Sequence, residues 1–332
     1  NEVTDEDVAA KYRAWNWNVL EINGNDAEEI AKSIESALAE QDRPTLIIGK
    51  TIMGLGCVTP EGANFEGMCS THGQPLSKSG ASYEKTVENL GGDMNDPWKI
   101  WDDVAELYAS RKAELETIVA ARYAAEKEWA AANPELAKQL EDFVEGNLPE
   151  IDYEAITYKP NVATRTASAS VLSVLGEKVK NMIVSSADLA NSDKSEAFLN
   201  KVGALKHHDF SGGFLHAGVA ELTMTAIMNG IALHGGMWAA CATFFVFSDY
   251  MKPAIRMAAL QELPVKYIWT HDAFRVGEDG PTHEPIEQEA QIRLLEQMNN
   301  LSGRPAMLVL RPADSAETTV AWEMAMENKE TP

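Results

Sequence analysis

Val265-Lys266-Tyr267-Ile268-Trp269 runs directly into Thr270-His271-Asp272, and Gly277-Glu278-Asp279-Gly280-Pro281-Thr282-His283 comes a few residues later. The first five residues, rich in β-branched and aromatic side chains, read as a strand. The residues from Thr270 to His283 break any periodicity and concentrate two histidines, two aspartates and three glycine and proline breakers. In an open α/β sheet, ligands bind where strands end at their carboxyl edge. A strand that empties into titratable side chains therefore points both to an α/β fold and to a site. The glycines allow the backbone to approach a ligand closely. A zinc centre is the weaker reading, because the spacing matches no standard ligand set and no cysteine is near in sequence.

The same alternation continues on both sides. Helical signal covers 166–179, strand signal 182–185, and a helix spans 219–234. An apolar and aromatic stretch at 238–247 precedes a helix near 249–262. Beyond the opening segment come a helix at 285–298, a strand at 306–310 and a helix at 315–327. Such alternation predicts an open, parallel α/β domain. Nearer the start, Trp17–Ile22 reads as a strand, and Asp26 is placed to cap a helix over 27–40 in which Ile30, Ile34, Ala37 and Leu38 recur at helical spacing. Pro44–Gly49 then reads as a buried parallel strand, completing a βαβ unit. Residues 54–95 are rich in Gly, Ser, Asn and Pro and read as a functional or disordered loop. Residues 97–146 read as two connector helices broken near Asn133-Pro134. The expected fold class is thus α/β, with two open parallel-sheet domains joined by helices.

Composition narrows the function classes. A chain of 332 residues accommodates two domains, and 45% hydrophobic with 24% charged residues is ordinary for a globular protein. No window approaches the roughly 20 apolar residues of a membrane span. The acidic start at Asn1-Glu2-Val3-Thr4-Asp5-Glu6-Asp7 has no apolar core of a signal peptide. Three cysteines without a CxxC make a disulfide framework an unsuitable reading and a reducing cytoplasm the expected compartment. A net charge of −23 argues against a basic nucleic-acid surface, while a few local His, Arg and N–H groups can still hold a phosphate.

Two further segments carry chemistry. Gly218-Val219-Ala220-Glu221 opens the helix at 219–234, where a glutamate by itself would only complement the helix dipole. In Thr243-Phe244-Phe245-Val246-Phe247-Ser248-Asp249-Tyr250, Phe244, Phe247 and Tyr250 are spaced i, i+3, i+6, which alone reads as core packing. Together, a carboxylic acid and an aromatic wall suit an aminopyrimidine cofactor, one acid at the ring nitrogen and stacking faces beside it. In thiamine diphosphate chemistry such an acid favours the imino form of the ring, which can deprotonate the thiazolium to a ylid that attacks a ketose carbonyl.

From Gly218 through Ala316 the chain resembles the pyrimidine-binding domain of the transketolase family, with Thr-Phe…Phe…Tyr, Thr-His-Asp, Gly-Glu-Asp-Gly-Pro-Thr-His and Arg311-Pro312-Ala313-Asp314 in family order. Ser186-Ala187-Asp188-Leu189 with Ser192 resembles the family's Ser-Ala-Asp-Leu…Ser segment, and Thr71-His72-Gly73-Gln74-Pro75-Leu76 its His-Gly-Ala-Pro-Leu loop. The resemblance implies transfer of a two-carbon ketol unit from a ketose phosphate to an aldose phosphate, as in the pentose phosphate pathway. Thiamine diphosphate with Mg2+ or Ca2+ would be the cofactor, and the protein a homodimer with shared sites. It implies Glu221 as the acid at the pyrimidine, walled by Phe244, Phe247 and Tyr250, with Asp188 near the cofactor across the dimer interface. His72 would touch the diphosphate and the reacting substrate. His283 and Asp279 would bind substrate hydroxyls, and Arg165, Ser192 and His271 the sugar phosphate. The implied domains are 1–95, the end of the diphosphate and metal domain; 96–164, the connector; and 165–332, the pyrimidine domain without its last strand.

Departures from the family pattern accompany this. Ala220-Glu221-Leu222 stands where the family has Arg-Glu-His, and Arg275 stands at a family glycine, which would add a cation near the acceptor site. The family's Gly-Asp-Gly metal motif has no counterpart in these residues, so the metal ligands are expected upstream and the chain is expected to be a fragment, inactive alone. Dihydroxyacetone synthase and deoxyxylulose-phosphate synthase share the chemistry, and a non-catalytic interaction module is the reading from another class.

Overall fold

A computed structural model describes residues 3–272 and 276–332. Arg275 lies outside the described residues. The chain packs as two units, one running through Val119 and the other from Ala120 to Pro332.

The first unit is built on the expected βαβ element. After α1 (Val8–Ala14), β1 (Asn18–Asn23) pairs in parallel with β2 (Thr45–Lys50), Asn18 opposite Thr45, and α2 (Ala27–Ala39) makes the crossover. Asp26 caps α2 as its position predicts, its carboxylate accepting from Glu28 N at 2.9 Å and Glu29 N at 3.1 Å. The apolar stripe of α2 is not covered: Ile30, Ile34 and Leu38 are exposed, and only Ser33 is buried. The polar segment beyond β2 holds two short helices, α3 (Leu76–Ser79) and α4 (Tyr83–Asn89), the latter capped by Ser82 through Lys85 N at 3.2 Å.

α5 (Asp102–Ala132) has no buried residue along its 31 positions and carries the division between the units. Asn133-Pro134 ends it, because proline cannot donate an amide to a continuing helix but fits the first turn of the next, α6 (Pro134–Val144).

In the second unit, α7 (Thr164–Lys178) leads to β3 (Met182–Ser186), then α8 (Ala190–Asp193) and α9 (Glu196–Val202). β4 (Phe214–His216), α10 (Glu221–His234), β5 (Trp238–Phe244), α11 (Ser248–Leu260) and β6 (Lys266–Thr270) come next, then α12 (Gln288–Glu296) and α13 (Ser315–Glu327). The four strands pair in parallel in the order β4-β3-β5-β6. β5 is buried at every residue. Its Ala239 and Cys241 join Met224, Met228, Met251 and Ile255 on one face, whereas Trp238 and Ala240 join Leu172, Phe198, Phe214 and Trp322 on the other. Helices thus cover both faces, as parallel sheets require.

Two strand readings change. β4 is absent from the sequence reading because three residues carry no measurable periodicity. It reaches the edge of β3 through Gly212, where a Cβ would lie 2.5 Å from the Ala204 carbonyl. Conversely, the apolar run 306–310 joins no ladder among the described residues. Met307 is buried in the core and Val309 packs against it, but Leu308 N donates to the Pro332 carbonyl at 3.0 Å. A cavity of about 550 Å³, lined by β6 and by residues 307–311, lies alongside. Apolarity predicted the burial; pairing depends on which edge the segment meets.

Lys266 is an exception within this core. It is 6% exposed, its Nζ donating to the Asn328 carbonyl just beyond α13 at 2.6 Å and lying 5.7 Å from the Trp238 ring. Burial pushes its ammonium down to about 7 from an ordinary 10.5. The unfolded chain therefore binds the extra proton between these values, and stability rises with pH across that window. In chemical denaturation, we expect the native protein to gain on Lys266→Met between pH 7 and 10.5, by at most about 1.4 kcal/mol per pH unit. A pH-independent difference would mean that the ammonium stays charged in the fold.

Candidate active site

The carboxyl edge of the second sheet gathers most of the residues singled out in the sequence. β5 ends at Phe244, a single 3-10 turn carries Phe247, and α11 carries Tyr250. The three rings form a stacked row: Phe244 and Phe247 lie 6.1 Å apart at 13°, Phe247 and Tyr250 6.2 Å apart at 26°. The i, i+3, i+6 spacing thus yields a shared face although only Tyr250 stands on regular α-helix.

β6 ends beside this row. His271 takes a left-handed backbone, φ 53°, which costs a non-glycine residue on the order of 1 kcal/mol. The turn lays its imidazole on Phe244, centroids 3.5 Å apart, extending the aromatic row. His283 meets the row edge-on, 5.3 Å from Phe247 and 6.2 Å from Phe244. Thr282 Oγ1 lies 2.8 Å from its Nδ1.

Arg165, in the first turn of α7, joins two distant segments. Its Nη1 donates to the Ser192 carbonyl at 3.2 Å and lies 2.9 Å from His271 Nε2. A guanidinium only donates, so Nε2 accepts and the imidazole proton resides on Nδ1, which faces Thr270 Oγ1 at 2.9 Å. His271 is held neutral by burial first and then by the Arg165 charge, against the pull of Asp279 and Asp272, so its pKa lies below the ordinary value. Among the described residues Arg165 forms no ion pair, and Asp279 lines the same cavity as Arg165 and His271. A half-buried cation with only neutral partners is suited to an anionic ligand.

Arg311 and Arg293, by contrast, are already neutralised. Arg311 pairs with Asp272, Nε to Oδ2 at 3.2 Å, donates to the Asp272 carbonyl at 2.8 Å, and forms an ion pair with Glu289, which Arg293 shares at 3.0 Å. Sequence reasoning misses this brace on the Thr270-His271-Asp272 turn; its one signal there is that Arg311 directly succeeds the apolar run 306–310.

Glu221 is the first residue of α10, whose N-terminus lies at the same carboxyl edge, and α10 packs on β5 and α11, the elements bearing Phe244 and Tyr250. The residue is 8% exposed, and no group among the described residues hydrogen-bonds to its carboxylate. A largely buried acid with no hydrogen-bond partner for its carboxylate among the described residues, on a helix packed against the elements that carry the aromatic row, fits the pyrimidine half of thiamine diphosphate. Among the described residues, no group of three or more His, Cys, Asp or Glu is placed to hold a metal ion by itself. Asp188 is exposed, in a left-handed conformation with φ 63°, and makes none of these contacts. His72 is exposed in the first unit, after a 3-10 turn.

Comparison with known proteins places both regions. Residues 1–149 match the family model "Transketolase, thiamine diphosphate binding domain" and residues 160–332 match "Transketolase, pyrimidine binding domain". Transketolase of Halalkalibacterium halodurans is 41% identical over 98% of this chain and 47% of its own length, and that of Bacillus subtilis is 39% identical with the same coverage. The chain spans about half the length of the curated relatives it matches. Among solved structures, a transketolase from Leishmania mexicana superposes with a TM-score of 0.87 at 27% identity, over the whole chain and 47% of the other. A Pichia stipitis transketolase in complex with sedoheptulose 7-phosphate gives 0.84 at 30% identity, over the whole chain and 48% of the other.

The imidazole offers a direct check. In an NMR titration, His271 should protonate below the ordinary histidine range, and Arg165→Met should move its midpoint upward. An unmoved midpoint would remove Arg165 as a contributor.

Proposed function

This chain belongs to the transketolase family, and we propose that it carries the substrate-holding and pyrimidine-holding part of an enzyme that transfers a two-carbon ketol unit between sugar phosphates. The observation that carries this reading is Arg165: a cation with no carboxylate partner among the described residues that touches both the Ser192 loop and a neutral histidine stacked on the aromatic row. An anion bound there would lie beside the aromatic faces, as a sugar phosphate must when its carbonyl meets a cofactor held on those faces. The sedoheptulose 7-phosphate complex of the Pichia stipitis relative supports this substrate class.

In this proposal Phe244, Phe247 and Tyr250 wall the pyrimidine and Glu221 holds a proton at its ring nitrogen. Thiamine diphosphate, when bound, supplies the carbon nucleophile that attacks the ketose carbonyl. Arg165, Ser192 and His271 bind the phosphate, His283 and Asp279 orient substrate hydroxyls, and the stacked rings exclude water. Nε2 of His271 carries no proton while it accepts from Arg165, so binding a phosphate oxygen through that nitrogen would require Arg165 to shift toward the anion and a proton to settle on Nε2. His72 and Asp188 would act on the diphosphate and cofactor, Asp188 across a homodimer interface. Exposed Val219, Leu222 and Tyr250, adjacent in sequence or space to Glu221 and the row, support a covering partner subunit. Mg2+ or Ca2+ would accompany the diphosphate of the cofactor. Three free cysteines, Cys57, Cys69 and Cys241, support a cytoplasmic setting, and no helix among the described residues is long and apolar enough to cross a membrane. The proposed domains are 1–95, 96–164 and 165–332.

In the protein as the cell makes it, Glu221→Ala should lower ketol-transfer turnover roughly 10²- to 10⁴-fold while the fold persists by circular dichroism. Arg165→Ala should raise KM for the sugar phosphate about tenfold or more with a smaller change in kcat. Turnover that is insensitive to Glu221→Ala would refute the proposed acid, and an unchanged KM in Arg165→Ala would refute the phosphate site.

A further inference from the structure

Asp193 lies in the same loop as Asp188 and Ser192 but takes no part in the proposed chemistry. Its residue is 1% exposed, and an ionised carboxylate at that depth is costly unless its oxygens are fully hydrogen-bonded. They are. Oδ2 accepts from Ser186 Oγ at 2.6 Å, and Oδ1 accepts from Ser195 N at 2.9 Å and Ser195 Oγ at 2.7 Å. Ser186 Oγ in turn accepts from Leu189 N at 3.1 Å. Ser186 is the last residue of β3 and Ser195 immediately precedes α9, so one side chain ties the two ends of the loop together.

The segment between those ends is anchored at Ala187, whose N–H donates to the Ala242 carbonyl at 3.2 Å, and by the short helix α8, but its two strained positions lie next to the Asp193 hub. Asp188 and Lys194 both take left-handed backbones, φ 63° and 70°, conformations that a non-glycine residue keeps only when its surroundings enforce them. Between them Ser192 turns its carbonyl to Arg165. Ser186 and Asp193 therefore set where Asp188 projects and where Arg165 finds one of its two anchors. Burial raises the carboxyl of Asp193 while the three hydrogen bonds lower it, with burial prevailing.

We propose that Asp193 is the positioning residue of the Ser186–Ser195 loop, holding Asp188 and the Ser192 carbonyl, and through that carbonyl Arg165, in the arrangement that meets substrate. The functional part rests on the reading of Arg165 as a phosphate-binding group. The structural part does not.

Asparagine can replace this hub. Its carbonyl oxygen accepts from Ser195, and its amide donates to Ser186 Oγ, whose own hydrogen is then free to turn. Alanine removes every arm, and Ser186→Ala removes the link to Leu189 while leaving Asp193 bonded to Ser195. The test compares Asp193→Asn, Asp193→Ala and Ser186→Ala in the complete enzyme, by crystal structure and by steady-state kinetics well below each variant's melting temperature. Asp193→Ala should move Asp188 out of the left-handed region, break the Arg165–Ser192 contact and raise KM for the sugar phosphate about tenfold, with kcat changed less. Ser186→Ala should do the same to a smaller degree, and keeps the test decisive if Asp193→Ala does not fold. Asp193→Asn should restore loop and KM. A loop unchanged in Asp193→Ala, or in Ser186→Ala where only that variant folds, overturns the proposal, as does a lowered melting temperature with KM unaltered. Should Arg165→Ala itself leave KM unchanged, the phosphate reading fails separately, and the loop conformation in the variant structures decides the positioning role.

Discussion

The burial of β5 on both faces is the constraint on which the architecture of the second unit depends. A strand with no solvent face must satisfy every backbone N–H and C=O within the sheet, which demands neighbours on both edges. β3 and β6 supply them in parallel. Parallel neighbours need crossover helices; these bury Met224, Met228 and Ile255 on one face and Phe198 on the other, where Leu172 of α7 and Trp322 of α13 complete the layer. All strands then end at one edge. Phe244 of β5, Thr270-His271 of β6, the loop after β3 and Glu221 after β4 are gathered there by this topology, not by contact preferences of their own.

Electrostatics at that edge separates structure from function. The chain carries a net charge of −23, so its cations are surrounded by potential partners. Arg311 and Arg293 are engaged by Asp272 and Glu289 and brace the turn that bears His271. Arg165 instead meets a carbonyl and a neutral imidazole, neither of which offsets its charge. The difference between the bracing arginines and Arg165 lies in partner charge, and in the proposal Asp193 acts on Arg165 only through the Ser192 carbonyl.

Much of the local structure was legible in the sequence. Asp26 before an apolar periodicity signalled a cap, and Asn133-Pro134 signalled a helix break, because both effects act within one turn. The strand reading of 265–269 and the polar segment after it located the site edge for the same reason: a strand ending in titratable residues is a local pattern. Pairing was not legible in this way. β4 is too short to show a period, and residues 306–310 have a strand's composition without a ladder partner among the described residues. The stripe of Ile30, Ile34 and Leu38 has a core-facing spacing but remains exposed, since periodicity defines a face and not what covers it.

By itself the sequence determined the kinds of chemistry available: a carboxylate opening a helix, an aromatic run, histidines and aspartates after a strand, and motifs shared with transketolases. Only tertiary structure decided which of these meet. Arg165 and His271 are 106 positions apart, and Ser192 a further independent segment, so their contact depends on strand order, not on spacing. The tautomer of His271, the absence of a carboxylate on Arg165 among the described residues and the hub at Asp193 are properties of neighbours brought together by the sheet. Hydrogen-bond geometry and desolvation arise from three-dimensional proximity, and a linear pattern carries no record of it.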